Sequence, residues 1–105
     1  MNLLFICNQN QNRSKTAEEL FKEKFTTKSA GLYNKNPVTE KEIRWADTII
    51  VMEEAQRSEL AQRFPKHYLQ KRILSLDIPD IYSYQNPKLV QTLKQRMKKY
   101  QNLLT

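Results

Sequence analysis

The sequence predicts an α/β fold, a three-layer sandwich in which a four-stranded parallel sheet lies between helices on both faces. Short, continuous apolar runs alternate along the chain with segments whose apolar residues recur at helical spacing. In a sheet with one solvent-exposed face, apolar and polar residues alternate along each strand. These runs do not alternate, so both faces of each strand should be buried. With 105 residues and no internal repeat, we expect a single domain over residues 1–105.

The predicted strands cover residues 3–6, 26–30, 48–52 and 73–76. The third is the clearest because it is rich in β-branched residues, and the second is weak and closed by a turn at Gly31, the only glycine. Helices are predicted from residue 14, over 39–46 behind the capping-box pair Thr39 and Glu42, over 53–63, and from residue 87. Pro65 should end the third helix, which places His67 in a surface loop.

Two loops should meet at one edge of this sheet. Ligands of parallel sheets bind beyond the carboxyl ends of the strands, and the crossovers between strands are right-handed. Residues 7–13 follow the first predicted strand, and residues 77–82 follow the fourth. We therefore expect both loops to face the same crevice.

The first loop has the form C-x5-R-S, from Cys7 to Ser14, between a strand and a helix. A tight loop that leads into a helix N-terminus supplies converging backbone N–H groups for a phosphate group. Arg13 adds a planar fork that fits two phosphate oxygens. Helix N-termini and nearby cations also favour a thiolate over a thiol. The same loop would therefore bind a phosphate dianion and supply Cys7 as the nucleophile.

Cys7 also has a plainer interpretation, since free cysteine is often a small buried hydrophobic residue. A loop of three Asn and two Gln is a poor place to bury one, so we favour the catalytic interpretation. The lone cysteine allows neither an internal disulfide nor a sulfur-based zinc site. With no signal-peptide pattern and no membrane span, the reducing cytoplasm is the predicted compartment.

The net charge of +7 leaves two interpretations open. Clustered basic residues attract polyphosphates, so nucleic acid stays open as a partner. A solvated helix face explains the same charges and is the more common case. Much of the excess lies near the C-terminus, in a set of residues without acidic neighbours in sequence: Lys88, Lys94, Arg96, Lys98 and Lys99.

The chain resembles the low-molecular-weight protein tyrosine phosphatases, and is nearest to a compact bacterial branch of predicted tyrosine phosphatases. The resemblance rests on residues 4–18 with the C-x5-R-S loop, on 29–31, on 46–53, and on 78–82, in the family's order. It implies the strand order 2-1-3-4. It also implies a phosphomonoester hydrolase that forms a phosphocysteine and requires no cofactor or metal. The implied substrate is a phosphotyrosine protein or a small phosphomonoester.

Carried over to this chain, the resemblance implies a role for each residue of the site. Cys7 would be the nucleophile, Arg13 would bind the phosphate, and Asp80 would be the general acid. Ser14 would hydrogen-bond the thiolate, Asn10 would hold the loop's shape, and Ser29 would support the loop. The rest of the phosphate-binding loop consists of amide residues: Asn8, Gln9, Gln11 and Asn12.

This chain departs from the family pattern at two positions. Gln9 stands where the main family usually has Gly, so the loop must reach its shape without that backbone freedom. Ile81 replaces the proline that follows the acid, and Asp77 is a rival acid, although its position favours a turn. Tyr82 lies beside the proposed acid, and whether it contacts the substrate or packs internally stays open.

Two other functions stay open beside the hydrolase. Arsenate reduction occurs on this fold, but its thioredoxin-coupled form uses additional cysteines that this chain lacks. A non-catalytic module of the same fold could instead bind a phosphorylated partner or nucleic acid. The sequence contains no feature that fixes the oligomeric state.

Overall fold

Four parallel strands form the centre of the protein, for which a computed structural model describes residues 1–104. The strands are β1 (Asn2–Cys7), β2 (Thr26–Gly31), β3 (Thr48–Val51) and β4 (Arg72–Ser75). They are hydrogen-bonded in the order β2-β1-β3-β4, and every pairing is parallel. The predicted fold class and strand order are therefore confirmed.

Helices cover both faces of the sheet. They are α1 (Arg13–Phe21), α2 (Glu40–Trp45), α3 (Glu54–Arg63), α4 (Pro65–Gln70) and α5 (Pro87–Lys98), followed by a 3-10 helix at Gln101–Leu103. Residues of α1 and α5 share one hydrophobic cluster, and residues of α2, α3 and α4 belong to the other. Within residues 1–104, no helix has the length and apolar character needed to span a bilayer.

The central strand β1 explains why its sequence is a continuous apolar run. Leu3 and Phe5 belong to the cluster beneath α1 and α5, whereas Leu4 and Ile6 belong to the cluster on the opposite face. All four are fully buried. Successive side chains of a strand point to opposite faces, so a strand covered on both sides needs apolar residues at every position.

The sequence prediction was wrong about the segment after the third helix. Pro65 does end α3, but it is also the first residue of α4, where its fixed φ and missing N–H suit a helix N-terminus. His67 therefore lies in a helix rather than a loop, and its Nε2 atom lies 3.0 Å from Glu40 Oε1. The hydrogen bond from His67 lowers the pKa of Glu40 below its usual value.

Gly31 is required because other parts of the protein approach its backbone closely, and not because the chain makes an unusual turn there. It is the last residue of β2, and the structure shows no positive φ there. A Cβ atom on Gly31 would lie 2.5 Å from Asn34 Oδ1 and 3.0 Å from the carbonyl oxygen of Asn8. The glycine thus lets the loop after β1 pack directly against the end of β2.

We expect Gly31→Ala to lower the free energy of unfolding by about 1–3 kcal/mol, the usual cost of overpacking a close contact. Chemical denaturation monitored by circular dichroism measures this change. Removing the Asn34 side chain relieves the shorter contact, so the substitution should cost less in an Asn34→Ala background. Equal costs in both backgrounds would contradict this explanation.

Candidate active site

The two predicted loops do meet at the carboxyl edge of the sheet. The first runs from Cys7 at the end of β1 to Arg13 at the start of α1. The second follows β4, and its Ile78 carbonyl oxygen accepts a hydrogen bond from Arg13 Nη1 at 2.7 Å. A single side chain therefore bridges segments that are 65 residues apart in sequence.

A chain of short polar contacts surrounds the sulfur of Cys7. Cys7 Sγ lies 2.9 Å from Ser14 Oγ and accepts a hydrogen bond from the backbone N–H of Asn10 at 3.2 Å. Ser14 Oγ also lies 2.7 Å from Asn10 Oδ1. Cys7 is 3% exposed and Ser14 is fully buried, so these contacts are shielded from water.

This chain of contacts can accommodate both protonation states of Cys7. A thiol donates to Ser14 Oγ, and the Ser14 hydroxyl then donates to Asn10 Oδ1. When the thiol loses its proton, the Ser14 hydroxyl can turn and donate to the sulfur instead. The Asn10 N–H donates to the sulfur in either state. Two donors are thus available to a thiolate at this position.

The loop obtains its tight turn from Asn10 rather than from Gln9. Asn10 has a φ of +54°, and Gln9 is not among the residues with positive φ in residues 1–104. Asparagine tolerates the left-handed region better than most residues because its short polar side chain can hydrogen-bond locally. The side chain of Asn10 does so with Ser14. The loop therefore does not need glycine at position 9.

Side chains along the loop alternate between two environments. Asn8, Asn10 and Asn12 are partly buried, whereas Gln9 and Gln11 are exposed. The short amides therefore face the protein, and the longer ones lie at the rim of the crevice. Of the loop residues predicted to bind phosphate, the two glutamines are the ones whose side chains face solvent.

Protein groups bind only one side of the Arg13 guanidinium group. The side chain is 1% exposed, and its Nη1 atom donates to Glu53 Oε1 as well as to the Ile78 carbonyl oxygen. The Nε atom is buried and has no hydrogen-bond partner among residues 1–104. Asp80 Oδ1 is 3.7 Å from Nε, too long for a hydrogen bond but within ion-pair range. The Nε side thus has an unused donor.

The structure adds two residues to the site that the sequence did not single out. Glu53 lies at the N-terminus of α3, and its carboxylate pairs with buried Arg13. Gln56 is 2% exposed, and its Oε1 atom accepts hydrogen bonds from the N–H groups of Met52 at 2.7 Å and Glu53 at 3.0 Å. Its Nε2 atom donates to Asn8 Oδ1 at 3.1 Å, so Gln56 ties the first loop to the start of α3.

The two candidate acids occupy different surroundings. Asp80 lies next to Arg13 and is about half exposed. Asp77 has a φ of +55°, and its Oδ1 atom accepts a hydrogen bond from Ser75 Oγ at 3.2 Å. The structure thus brings Asp80, and not Asp77, into ion-pair range of the guanidinium group.

The remaining predicted residues have mainly packing and tethering contacts. Tyr82 is partly buried against the hydrophobic cluster beneath α1 and α5. The Ser29 hydroxyl donates a hydrogen bond to the Glu18 carboxylate on α1. Among residues 1–104 it makes no side-chain hydrogen bond to the first loop, which it was expected to support. Thr16 joins the two loops instead, because its Oγ1 atom donates to the Asn12 carbonyl oxygen at 2.7 Å and accepts from the Gln85 N–H at 2.9 Å.

The arrangement has the features needed to hold a small anion. The first intrahelical bond of α1 runs from the Thr16 N–H to the Asn12 carbonyl oxygen, so the N–H groups before it have no partner within the helix. The first turn of α1 contains no acidic residue, and Asn12 makes no side-chain capping bond. These N–H groups and the free side of Arg13 lie on the same short segment.

Comparison with known proteins identifies the fold. No family model and no curated protein matches the sequence, but solved structures match nearly its whole length. The tyrosine phosphatase Wzb from Escherichia coli K30, solved in complex with phosphate, has a TM-score of 0.78 at 20% identity, with 99% of this chain and 98% of that chain covered. A low molecular weight protein tyrosine phosphatase from T. tengcongensis has a TM-score of 0.77 at 19% identity, with coverage of 99% and 97%.

A YwlE arginine phosphatase is also similar, with a TM-score of 0.74 at 18% identity and 96% of each chain covered. That protein is a cysteine-to-serine mutant whose active-site serine is phosphorylated. At these identities the comparisons establish the fold, which is that of the low-molecular-weight protein tyrosine phosphatases. The resemblance seen in the sequence is thus confirmed at the level of the fold.

We expect Glu53→Ala to lower the free energy of unfolding by about 2–3 kcal/mol, because it leaves the buried Arg13 charge without its closest carboxylate. The expected loss of stability is smaller than that for a fully buried ion pair because Glu53 is 38% exposed. Glu54→Ala is the matched control, since Glu54 pairs with the partly exposed Arg57 and should cost less than about 0.5 kcal/mol. Similar losses in the two variants, measured by denaturant unfolding, would contradict this role for Glu53.

Proposed function

We propose that this chain, which has the fold of the low-molecular-weight protein tyrosine phosphatases, is a phosphomonoester hydrolase that acts through a phosphocysteine. One observation carries the proposal. Arg13 is buried, its Nη1 atom is anchored, and its Nε atom lacks a partner, on the same short loop that holds the sulfur of Cys7. A buried donor without a partner is costly, and a bound phosphate oxygen would remove that cost.

Binding uses the free side of the guanidinium group. Its Nε and Nη2 atoms form a planar fork that matches two oxygens of a phosphate group. The N–H groups at the start of α1 supply further donors, and the positive end of the helix dipole favours the dianion. Arg13 and these N–H groups provide the positive charge of the scheme, which therefore requires no metal ion.

The first chemical step transfers the phosphoryl group to sulfur. The Cys7 thiolate attacks phosphorus, an S–P bond forms, and the bond to the leaving oxygen breaks. Protonated Asp80 gives its proton to that oxygen, so the product leaves as a neutral alcohol or phenol.

The second step returns the enzyme to its starting state. The Asp80 carboxylate takes a proton from water as the water oxygen attacks phosphorus, the S–P bond breaks, and inorganic phosphate leaves. The Asn10 N–H and the Ser14 hydroxyl lie within hydrogen-bond distance of the sulfur, and both would stabilise the departing thiolate. Splitting the reaction in two suits phosphomonoesters, whose uncatalysed hydrolysis is extremely slow.

The similar structures support this proposal in two ways. The E. coli Wzb structure contains phosphate, and the YwlE variant carries a phosphorylated serine introduced in place of a cysteine. Two of the names specify tyrosine phosphatases and one an arginine phosphatase. We propose a phosphotyrosine protein or a small aryl phosphate as the substrate, with phosphoarginine as the alternative that a substrate panel must include.

We expect Cys7→Ser to reduce hydrolysis of p-nitrophenyl phosphate by roughly 10⁴-fold or more, because a serine hydroxyl is a far weaker nucleophile than a thiolate. Circular dichroism and the thermal midpoint should stay close to those of the wild type. Since Cys7 is the only cysteine, iodoacetate should inactivate the wild type by a single modification, and inorganic phosphate should slow that modification. An unreactive thiol in an inactive protein would favour the non-catalytic binding module instead.

We expect Asp80→Asn to lower kcat by roughly 10²–10³-fold on an alkyl phosphate, whose leaving group needs a proton. The loss in the rate of phosphocysteine formation, measured in the first turnover, should be clearly smaller on p-nitrophenyl phosphate, because p-nitrophenolate leaves without protonation. The second step needs Asp80 as a base with either substrate, so steady-state turnover should fall for both. Asp77→Asn is the matched control and should leave both rates within about threefold of the wild type. A larger loss for Asp77→Asn than for Asp80→Asn would assign the acid to Asp77.

A further inference from the structure

A second surface lies at the end of α1 that is remote from Cys7. A groove of about 530 Å³ is open there between the C-terminal halves of α1 and α5. Because α1 has nine residues, its two ends are separated by about 13 Å. The groove is therefore distinct from the crevice that contains Arg13.

The floor of the groove is apolar. It is formed by Leu20 and Phe21 of α1, Phe25 before β2, Met97 of α5, and Leu104. The first three are only partly buried, although all three pack against the hydrophobic cluster of that face. Part of this apolar surface therefore remains available to a ligand. The volume of the groove lies in the range of ordinary binding pockets.

The rim of the groove is positively charged. Lys94 and Lys98 lie one helical turn apart on α5, and Lys24 lies on the opposite side. These three lysines are exposed, and none forms an ion pair within residues 1–104. Among residues 1–104, Glu23 is the only acidic residue that lines the groove, and the sequence from residue 81 onward contains no Asp or Glu. Two of the basic residues of α5, Lys94 and Lys98, thus lie beside the apolar surface of the groove.

We propose that this groove binds a segment of a partner protein in which carboxylates alternate with aromatic or aliphatic side chains. The carboxylates would pair with the three lysines, and the apolar side chains would cover the floor. The three lysines lie on two sides of the groove, so several separated carboxylates fit them better than one headgroup does. An apolar floor is also a poor surface for a nucleic-acid backbone, which is bound mainly through phosphate contacts.

The proposal does not depend on the proposed hydrolase activity. Peptide binding at the groove involves no phosphate group and no residue of the crevice. Since α1 separates the two surfaces, a partner protein could occupy the groove while the crevice stays open. A phosphorylated partner could therefore be held by one surface and dephosphorylated at the other.

The test is fluorescence anisotropy with a labelled peptide of the sequence Glu-Phe-Glu-Glu-Leu-Glu-Glu-Phe-Glu. A second peptide has Ser in place of each Phe and Leu and keeps the same charge. We expect the full chain to bind the first peptide at least about tenfold more tightly than the second, because only the first can cover the apolar floor. Equal affinities for the two peptides would overturn the proposal.

The variant Lys94→Glu/Lys98→Glu should weaken binding of the first peptide by at least about tenfold. The matched control is Lys41→Glu/Lys66→Glu, which makes the same change in net charge at exposed positions of α2 and α4 on the opposite face. It should change the affinity by less than about threefold, the residual effect of long-range charge. Equal losses in the two variants would show that net charge alone attracts the peptide, and would overturn the proposal.

Phe25→Ala tests the floor without changing the charge, and it should weaken binding of the first peptide but not of the serine peptide. Thermal midpoints verify that each variant is folded, and Lys94→Gln/Lys98→Gln replaces the glutamate variant if that one unfolds. A single-stranded oligonucleotide of equal charge serves as competitor. If it displaces the peptide at equal concentration and loses affinity in the same lysine variant, the groove is a nucleic-acid site and the proposal is wrong.

Discussion

The rest of the site depends on how the protein balances the charge of the buried Arg13 guanidinium group. A cation that is 1% exposed must have its charge balanced and its N–H groups bonded by the protein or by a ligand. Glu53 after β3 and the Ile78 carbonyl after β4 provide this for Nη1. The ends of three strands must therefore meet around one side chain, which requires neighbouring parallel strands with β1 inside the sheet.

The same sheet order determines where the two surfaces of the protein lie. In a parallel sheet each helix runs back from the carboxyl edge to the amino edge, so its two ends face different sides of the molecule. The N-terminus of α1 faces the crevice with its unpaired N–H groups, and its C-terminus contributes Leu20 and Phe21 to the apolar groove. One short helix thus connects the edge that carries Cys7 and Arg13 with an apolar, lysine-rimmed edge.

Features that depend on local pattern could be predicted from the sequence, whereas those that depend on distant contacts could not. The apolar run of β1 predicted a buried strand of the sheet, and the C-x5-R-S spacing predicted that Cys7 and Arg13 lie on the loop that follows it. The role of Glu53 became visible only in the structure, because it depends on Arg13, 40 residues away. Gly31 was misjudged for a similar reason, since its constraint comes from Asn8 and Asn34 rather than from its own backbone.

The amides of the first loop show how a loop without glycine can hold the compact shape on which the proposed phosphate binding depends. Glycine would supply backbone freedom, but here the one left-handed residue is Asn10, whose side chain bonds Ser14. Asn8 is fixed in turn by Gln56. Because side-chain hydrogen bonds hold the backbone in place, the loop loses less conformational freedom when an anion binds than an untethered glycine loop would. Asn8 and Asn10 therefore preorganise the loop, and the exposed side chains of Gln9 and Gln11 are left free for contacts with the proposed substrate.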